Sequence, residues 1–329
     1  MNNITPTPLV AISEPIAAEL QSYRNLFEET LRHDVPLLSE ALSYIRGRAG
    51  KMMRPMLVLL MAKEVGQVNN KTLSAAVSLE LLHTASLVHD DVVDESNLRR
   101  GKASVNHKYG NKIAILIGDY LLSLLLTNAA KTGDNKIVEH IARLGGTLSE
   151  GEIYQLSSSQ NDIPEEKHYF EIIYRKTAAL FATCAQLGAM TSTHDEAFIE
   201  HARRFGELIG ICFQIRDDIF DFYDNTAIGK PTGNDLLEGK FTLPAIYALR
   251  KAPHPTLNPL IERVKTCTAS AEDVSKLVDH IKKHGGIDYA LTIMEKYHNE
   301  ATLLLNSFQN NAVREALKAY ADYVTKREY

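Results

Sequence analysis

Apolar side chains recur at helical spacing along most of this chain. One series consists of Leu73, Val77, Leu81, Ala85 and Val88. Residues three and four apart share one face of an α-helix, so the series predicts a helix with a buried face. Alternating apolar and polar runs and Asn-Gly turns, which are typical of strands and hairpins, are scarce. The pattern therefore predicts an all-α fold.

Stretches rich in Gly, Pro, Asn and Ser separate the predicted helices. The clearest are residues 100–111, 157–164, 225–240 and 252–259. None of them reads as a long linker, and no short repeat is visible. We therefore expect residues 1–329 to form a single domain of many helices.

Composition narrows the classes of function. The chain is 45% hydrophobic and 23% charged, with a net charge of −5, so nothing indicates a nucleic-acid partner. The three cysteines, Cys184, Cys212 and Cys267, lie far apart, which fits neither a metal-ligand motif nor a disulfide framework. The N-terminal sequence lacks the basic and apolar segments of a signal peptide. We expect a cytoplasmic protein.

The most apolar stretch runs from Ile113 to Leu126 and is interrupted by Asp119. It is shorter than the roughly 20 residues that a membrane-spanning helix needs. We therefore expect at most peripheral contact with a membrane.

Asp90, Asp91 and Asp94 form the first of two aspartate clusters. On a helix, the first and last of these share one face and are one turn apart. Three carboxylates this close repel one another unless a cation lies between them. A solvated acidic helix end remains an alternative for a single cluster.

A second cluster strengthens the case for a metal. Gln214, Asp217, Asp218 and Asp221 form a polar stripe on an otherwise apolar helix, and the aspartates repeat the spacing DDxxD of the first cluster. Buried charge without compensation is costly. Carboxylate oxygens from facing helices, together with substrate phosphates and water, suit Mg²⁺. The pair of clusters predicts a Mg²⁺-dependent diphosphate site.

Basic residues near the clusters suit diphosphate oxygens, since Arg binds them with a planar fork and Lys as a point charge. Each alone is more often a solvated surface charge, and it is their grouping that favours phosphate binding. They are Lys51, Arg54, Arg99, Arg100, Lys176, Lys230 and Lys240.

These segments resemble the trans-isoprenyl diphosphate synthase family. LLHTASLVHDDVVDESNLRRG resembles its first aspartate-rich motif, and FQIRDDIFDF followed by GKPTGNDLLEGKFTLP resembles the second motif and its lysine loop. GKMMRP, GEIYQL and KTAAL also match in the expected order, over about Gly50 to Pro244. The resemblance implies a prenyltransferase with an all-α, single-domain helical bundle around a central apolar cavity.

The resemblance also implies a role for each matching residue. Three Mg²⁺ ions with substrate bound would be held by Asp90, Asp91, Asp94, Asp217, Asp218 and Asp221. The allylic diphosphate, such as farnesyl diphosphate, would contact Arg99, Lys176, Lys230 and Lys240. Isopentenyl diphosphate would contact Lys51, Arg54, His83 and Arg100. Thr177 and Gln214 would line the reacting carbons, and the catalytic set would be Asp90, Asp91, Asp94, Asp217, Lys176 and Arg99.

Product length is predicted from the residues before the first cluster. Ser86 lies one turn before Asp90, with Ala85 beside it, and in short-chain relatives bulky aromatic residues at these positions close the product channel. Here both are small, and HTASLVHDDVVDE is similar to octaprenyl and nonaprenyl synthases. We expect an all-trans product of about octaprenyl length, for quinone side chains.

Other possibilities remain open at the level of sequence. They are a shorter-chain synthase, a terpene cyclase, a non-catalytic synthase subunit and a helical interaction protein. Cyclases usually carry one DDxxD cluster, and non-catalytic subunits generally lack one of the two, whereas this chain has both. By resemblance we also expect a homodimer, to which the apolar segment Ile113–Leu126 is a candidate contributor.

Overall fold

The computed structural model describes residues 8–47, 50–99, 101–158, 163–223 and 232–327. Most of these residues are helical, which confirms the all-α fold. The strands in this part of the chain form one antiparallel ribbon, β1 Leu98–Arg99 and β2 Lys102–Ala103, in which Leu98 pairs with Ala103.

The helices follow one another with short connections. In chain order they are α1 Pro8–Ser13, α2 Ala17–Thr30, α3 Pro36–Arg46, α4 Met53–Val65, α5 Asn70–Val93, α6 Val105–Tyr109, α7 Asn111–Ala130, α8 Asn135–Ser158, α9 Glu166–Ile173, α10 Ala179–Met190, α11 Glu196–Phe220, α12 Asn234–Leu237, α13 Leu243–Lys251, α14 Asn258–Lys265, α15 Ala271–Lys283, α16 Gly286–Leu304 and α17 Asn311–Lys326. A π-helical turn, Tyr174–Ala178, connects α9 to α10.

The chain divides into two compact units. The first unit comprises Met1–Gly146, Leu180–Gly206 and Leu304–Tyr323, and the second comprises Thr147–Ala179, Glu207–Leu303 and Val324–Tyr329. The expectation of a single domain over residues 1–329 stays a prediction.

Helix α5 of the first unit carries the first aspartate cluster at its C-terminal end, and a capping box fixes its start. The side chain of Asn69 accepts hydrogen bonds from the backbone N–H groups of Lys71 (2.9 Å) and Thr72 (3.2 Å), while the Thr72 hydroxyl accepts from the Asn69 N–H (3.2 Å). These bonds satisfy donors that a helix start otherwise leaves unpaired.

Close backbone contacts hold the core of the first unit. A Cβ atom on Gly188 of α10 would lie 2.4 Å from the Val58 carbonyl oxygen on α4. One on Gly206 would lie 2.4 Å from the Phe181 carbonyl oxygen. Only glycine permits helices to approach this closely, so packing explains both residues.

Helix α7 is longer than its apolar stretch predicted. It has 20 residues and is long and apolar enough, by length and composition alone, to cross a membrane, so the argument that this segment is too short is wrong. A buried helix of a water-soluble protein passes the same test. Leu121 on α7 is fully buried, whereas Leu116 and Leu126 are exposed. Membrane contact and homodimer formation stay predictions.

In the second unit, α14 and α15 are joined by an ion pair. Arg263 donates from Nε and Nη2 to the two oxygens of Asp273, at 2.9 and 2.7 Å. Asp273 also completes a capping box with Ser270 at the start of α15. The hydrogen bonds from Arg263 and Ser270 lower the pKa of Asp273 to about 2.

Candidate active site

The three aspartates of the first cluster have different surroundings. Asp91 is 2% exposed, and the Nε of Arg99 on β1 donates to its Oδ1 at 2.6 Å. The Asn106 side chain donates to the Asp91 carbonyl oxygen at 3.0 Å. Asp90 is half-buried and Asp94 is exposed. The middle aspartate therefore positions Arg99, while the outer two remain accessible.

An open cavity of about 80 Å³ in the first unit lies beside this cluster. Asp91, Arg99 and His83 line this cavity. His83, which is predicted to bind isopentenyl diphosphate, therefore lies near the first cluster. Arg46 and Glu80 also line this cavity, and the sequence analysis missed both. Glu80 lies one helical turn before His83 on α5, and this spacing is the signal that would have found it.

Lys51 and Arg54 have other neighbours in the first unit. The Lys51 ammonium group lies 5.3 Å from the ring centre of Tyr323, and the Arg54 guanidinium group lies 5.4 Å from that of Phe181. Neither residue is among those that line the cavity, as far as the chain is described. Their predicted role in binding isopentenyl diphosphate together with His83 stays a prediction.

The second cluster again gives its three aspartates different environments. Asp217 has a side chain that is 44% exposed and forms an ion pair with Arg327. The Asp221 oxygens accept hydrogen bonds from the backbone N–H groups of Asn234 (3.0 Å) and Asp235 (3.1 Å) and so cap α12. Asp218 is 4% exposed. As in the first cluster, the middle aspartate is buried.

Two protein donors hold Asp218. The Tyr169 hydroxyl donates to Oδ2 at 2.6 Å, and the Gln214 amide nitrogen donates to Oδ1 at 2.8 Å. Burial raises the pKa of Asp218 to about 7, against the lowering effect of these hydrogen bonds, and the charges of Asp217 and Asp221 raise it further. The second cluster thus concentrates negative charge that a nearby cation would stabilise.

The π-helical turn presents the next two predicted residues. Lys176 donates to Glu152 Oε2 at 2.5 Å and to Gln155 Oε1 at 3.1 Å, both on α8. The Thr177 hydroxyl donates to Gln214 Oε1 at 2.7 Å. π-Turns are frequent at functional sites because they alter the direction of side chains on a helix. The structure therefore brings Lys176 to Glu152 and Gln155, and Thr177 to Gln214 and the second cluster.

Comparison with known proteins identifies the family. The sequence profile of the polyprenyl synthetase family matches residues 35–281. The chain belongs to that family. It is a prenyltransferase, a trans-prenyl diphosphate synthase, as the resemblance predicted.

Relatives and solved structures agree with this assignment over nearly the whole chain. Component 2 of heptaprenyl diphosphate synthase from Bacillus subtilis is 37% identical over 303 residues, which are 92% of this chain and 86% of that protein. The crystal structure of geranylgeranyl pyrophosphate synthase from Bacteroides thetaiotaomicron has a TM-score of 0.86 and 44% identity, over 97% of this chain and 99% of that one. The polyprenyl synthase from Caulobacter crescentus, in complex with calcium and isoprenyl diphosphate, has a TM-score of 0.90 and 30% identity, over 98% of both chains.

The donor set of this prenyltransferase suits a hard cation in part. Within the described ranges, no three His, Cys, Asp or Glu side chains converge as ligands of one ion. Asp90, Asp94 and Asp217 nevertheless offer carboxylate oxygens that are at least partly accessible. Because Mg²⁺ typically takes one or two carboxylates and completes its shell with phosphates and water, the accessible carboxylates of each cluster, taken by themselves, fit Mg²⁺ bound together with substrate.

The remaining predicted residues fall into three groups. Arg100 and Lys230 lie outside the described residues. Lys240 forms an ion pair with Glu238 at 2.6 Å. Ala85 is fully buried, whereas Ser86 is half-buried and donates to the His83 carbonyl oxygen at 2.9 Å. Of the two channel positions, Ser86 is the accessible one.

Further residues of this site were missed by sequence reasoning because their partners are distant in the chain. Tyr169 lies 49 residues before Asp218, and Arg327 lies 110 residues after Asp217. Glu152 would have been found from its place in GEIYQL beside Gln155, a segment that the family resemblance already includes.

Proposed function

We propose that this chain is an all-trans-polyprenyl diphosphate synthase that uses Mg²⁺ to add isopentenyl diphosphate repeatedly to an allylic diphosphate such as farnesyl diphosphate. The observation that carries the proposal is the shared construction of the two aspartate clusters. In each cluster the middle aspartate is buried and accepts hydrogen bonds from protein side chains. Arg99 donates to Asp91, and Tyr169 and Gln214 donate to Asp218. The outer carboxylates Asp90 and Asp217 are more accessible than the middle ones, and in this proposal they contact metal and diphosphate.

The metal would be held by Asp90 and Asp94 in the first cluster and by Asp217 in the second. When bound, Mg²⁺ supplies Lewis-acid stabilisation of the departing diphosphate. The calcium and isoprenyl diphosphate bound in the Caulobacter structure support a site of this chemistry. Arg327 forms an ion pair with Asp217 in this structure, and this side chain would have to give up that contact for Asp217 to hold a cation.

The cationic side chains orient the diphosphate. Asp91 holds Arg99 at 2.6 Å, and Glu152 and Gln155 hold Lys176 at 2.5 and 3.1 Å. These contacts fix the direction of both side chains before substrate binds, which lowers the cost of binding in the required geometry. Both charges then stabilise the diphosphate as the allylic C–O bond breaks.

Carbon–carbon bond formation follows at the allylic carbon. The double bond of isopentenyl diphosphate attacks the allylic cation, and the proton that is lost passes to the released diphosphate. Thr177 and Gln214 lie at the reacting carbons in this proposal, and the Thr177 oxygen faces the developing positive charge. The Thr177 hydroxyl is held by its 2.7 Å hydrogen bond to Gln214.

We propose a product of about octaprenyl length for use in quinone side chains. The small residues Ala85 and Ser86 and the similarity of HTASLVHDDVVDE to octaprenyl and nonaprenyl synthases support it. The enzyme is proposed to act in the cytoplasm as a homodimer. A shorter product is the second candidate, because the Bacteroides enzyme of 44% identity is named a geranylgeranyl synthase.

One assay tests these proposals together. The purified chain is incubated with farnesyl diphosphate, labelled isopentenyl diphosphate and Mg²⁺, and the dephosphorylated product is sized by chromatography. We expect a ladder that ends near octaprenyl, no product in chelator, and a loss of orders of magnitude in rate in Asp90→Ala and Asp217→Ala.

Each other outcome would favour a different function. A product that ends at geranylgeranyl would establish the shorter-chain candidate. Diphosphate release without incorporation of isopentenyl diphosphate would indicate a terpene cyclase. No turnover by a folded, metal-loaded chain would contradict activity of the chain alone and favour a required second subunit, as the name of the Bacillus relative, component 2, indicates for that protein.

A further inference from the structure

A chain of three hydrogen bonds in the second unit runs from a buried phenol to the proposed reacting carbons. The Tyr169 hydroxyl donates to Asp218 at 2.6 Å, and the Gln214 amide nitrogen donates to the other Asp218 oxygen at 2.8 Å. The Thr177 hydroxyl donates to the Gln214 amide oxygen at 2.7 Å. Tyr169 and Asp218 are 5% and 4% exposed, whereas Gln214 and Thr177 are half-buried. This series of hydrogen bonds therefore leads from the buried side chain of Tyr169 to the more accessible side chain of Thr177.

The direction of every bond in this chain follows from its buried end. Asp218 Oδ1 accepts a hydrogen bond from the NH₂ side of the Gln214 amide. The amide oxygen must then face Thr177, and the Thr177 hydroxyl must donate its proton to it. The outward side of the Thr177 oxygen consequently carries lone pairs. An allylic cation is stabilised by lone pairs and destabilised by a hydroxyl proton, so this polarity matters for the reaction.

Tyr169 is the residue that keeps Asp218 in place. Its hydroxyl is a donor to Asp218 Oδ2, while Gln214 occupies Oδ1. With a donor on each oxygen, the carboxylate cannot rotate without losing a buried hydrogen bond, which is costly in a low-dielectric interior. Without the phenol, Asp218 can turn, and the amide of Gln214 is free to reverse. The Thr177 hydroxyl would then accept from the amide and direct its own proton outward.

We propose that Tyr169 is a positioning residue for the condensation step, which acts through Asp218 and Gln214 to fix the orientation of the Thr177 hydroxyl. Asp218 accordingly has a positioning role and is not a ligand of the metal. This inference rests on the proposed function, in which Thr177 and Gln214 face the reacting carbons. It assigns a task to a buried tyrosine that no aspartate-rich motif contains.

The first test is Tyr169→Phe. We expect kcat to fall by about 10- to 100-fold, in line with the cost of misplacing groups at a reacting centre. The KM values for both diphosphates and the Mg²⁺ concentration for half-maximal rate should stay within twofold. The matched control is Tyr289→Phe, which removes a phenol that donates to Glu166 at 2.9 Å in the same unit. The control should keep wild-type kcat. A Tyr169→Phe enzyme with wild-type kcat would overturn the proposal.

The second test separates positioning from a general loss of structure. Gln214→Leu already interrupts the series of hydrogen bonds between Tyr169 and Thr177. Adding Tyr169→Phe to this variant should therefore lower kcat further by less than twofold. An equal loss in both backgrounds would mean that Tyr169 acts in some other way, and would refute the proposed route through Gln214.

A third variant decides the question if Tyr169→Phe fails to fold. Asp218→Asn keeps the shape of the side chain but replaces one acceptor oxygen by an NH₂ group. We expect a lower kcat with an unchanged Mg²⁺ midpoint, whereas Asp217→Asn should shift the midpoint to higher Mg²⁺. A shift in Asp218→Asn equal to that in Asp217→Asn would establish Asp218 as a metal ligand. Absence of condensation by the wild-type chain would instead refute the proposed function itself.

Discussion

Replacement of Ser86 by phenylalanine tests the proposed product channel. Ser86 lies four residues before Asp90 on α5, which is about 6 Å along the helix axis at 1.5 Å per residue. Its side chain is half-buried, and Ala85 beside it is fully buried. A phenyl ring at Ala85 would have to displace packed core atoms, whereas a ring at Ser86 enters space that is partly open. Ser86→Phe is therefore the informative change.

The expected size of the effect follows from these dimensions. One extended isoprenoid unit spans four chain bonds, or about 5 Å from standard bond lengths. A ring about 6 Å below Asp90 therefore meets the growing chain at about its second unit. Forcing a chain past an overfilled site costs about 1–3 kcal/mol. This corresponds to a slowing of roughly 5- to 150-fold at each blocked addition. Product release should then overtake elongation near the farnesyl or geranylgeranyl stage.

The assay sizes the dephosphorylated product made from geranyl diphosphate and labelled isopentenyl diphosphate. Ser86→Ala is the matched control, because it removes the hydroxyl that donates to His83 but adds no volume, and it should leave product length unchanged. Ser86→Phe should keep the rate of the first condensation within about tenfold. A Ser86→Phe enzyme that condenses at this rate and still makes the wild-type product would show that this face of α5 does not line the channel.

Three further predictions concern other parts of the structure. Arg327→Gln removes the ion-pair partner of Asp217, which competes with a metal ion for this carboxylate. Loss of an ion pair worth about 1 kcal/mol should make Mn²⁺ bind roughly fivefold more tightly in an electron paramagnetic resonance titration. An unchanged affinity would contradict this prediction. Gly206→Ala places a Cβ atom 2.4 Å from a carbonyl oxygen and should lower the free energy of unfolding by about 1–3 kcal/mol in denaturant titrations. The control Gly146→Ala places a Cβ atom with no other atom within 4 Å and should raise the free energy of unfolding by about 0.5–1 kcal/mol. In the folded protein Asp273 has a pKa of about 2, below the value of about 3.9 expected in the unfolded chain. Its stabilising effect is therefore present above about pH 4 and is lost as the pH falls towards 2. The Tm difference between wild type and Asp273→Asn should shrink over that range, and a constant difference would argue against the ion pair.

Local patterns in the sequence were sufficient for the fold class and the two aspartate clusters. Apolar spacing on α5 and α11 depends only on neighbouring residues, so both helices were predicted correctly, while the metal-binding role of their clusters stays a prediction. The same spacing did not reveal that Asp218 is buried while Asp217 is accessible. Adjacent residues on a helix point about 100° apart, and the direction of the core is a property of the packed structure.

Tertiary contacts account for the parts of the site that the sequence did not predict. Tyr169 and Arg327 contact the second cluster only because distant segments pack beside it. Neither residue lies in a motif that the sequence analysis identified. The length of α7 was also underestimated, because polar residues at its ends continue the helix beyond the apolar stretch.

The π-helical turn Tyr174–Ala178 implies a conflict between stability and activity in this region. Such a turn accommodates one residue more than a regular helix of the same rise, at a cost in hydrogen-bond geometry. A deletion that restored regular α-helix between α9 and α10 would relieve that cost and rotate Lys176 and Thr177 by about 100° relative to one flanking helix. Selection for thermal stability alone would favour that deletion, and the resulting protein should have a higher Tm but no activity. The extra residue is therefore a position at which insertions and deletions are constrained by chemistry more than by folding.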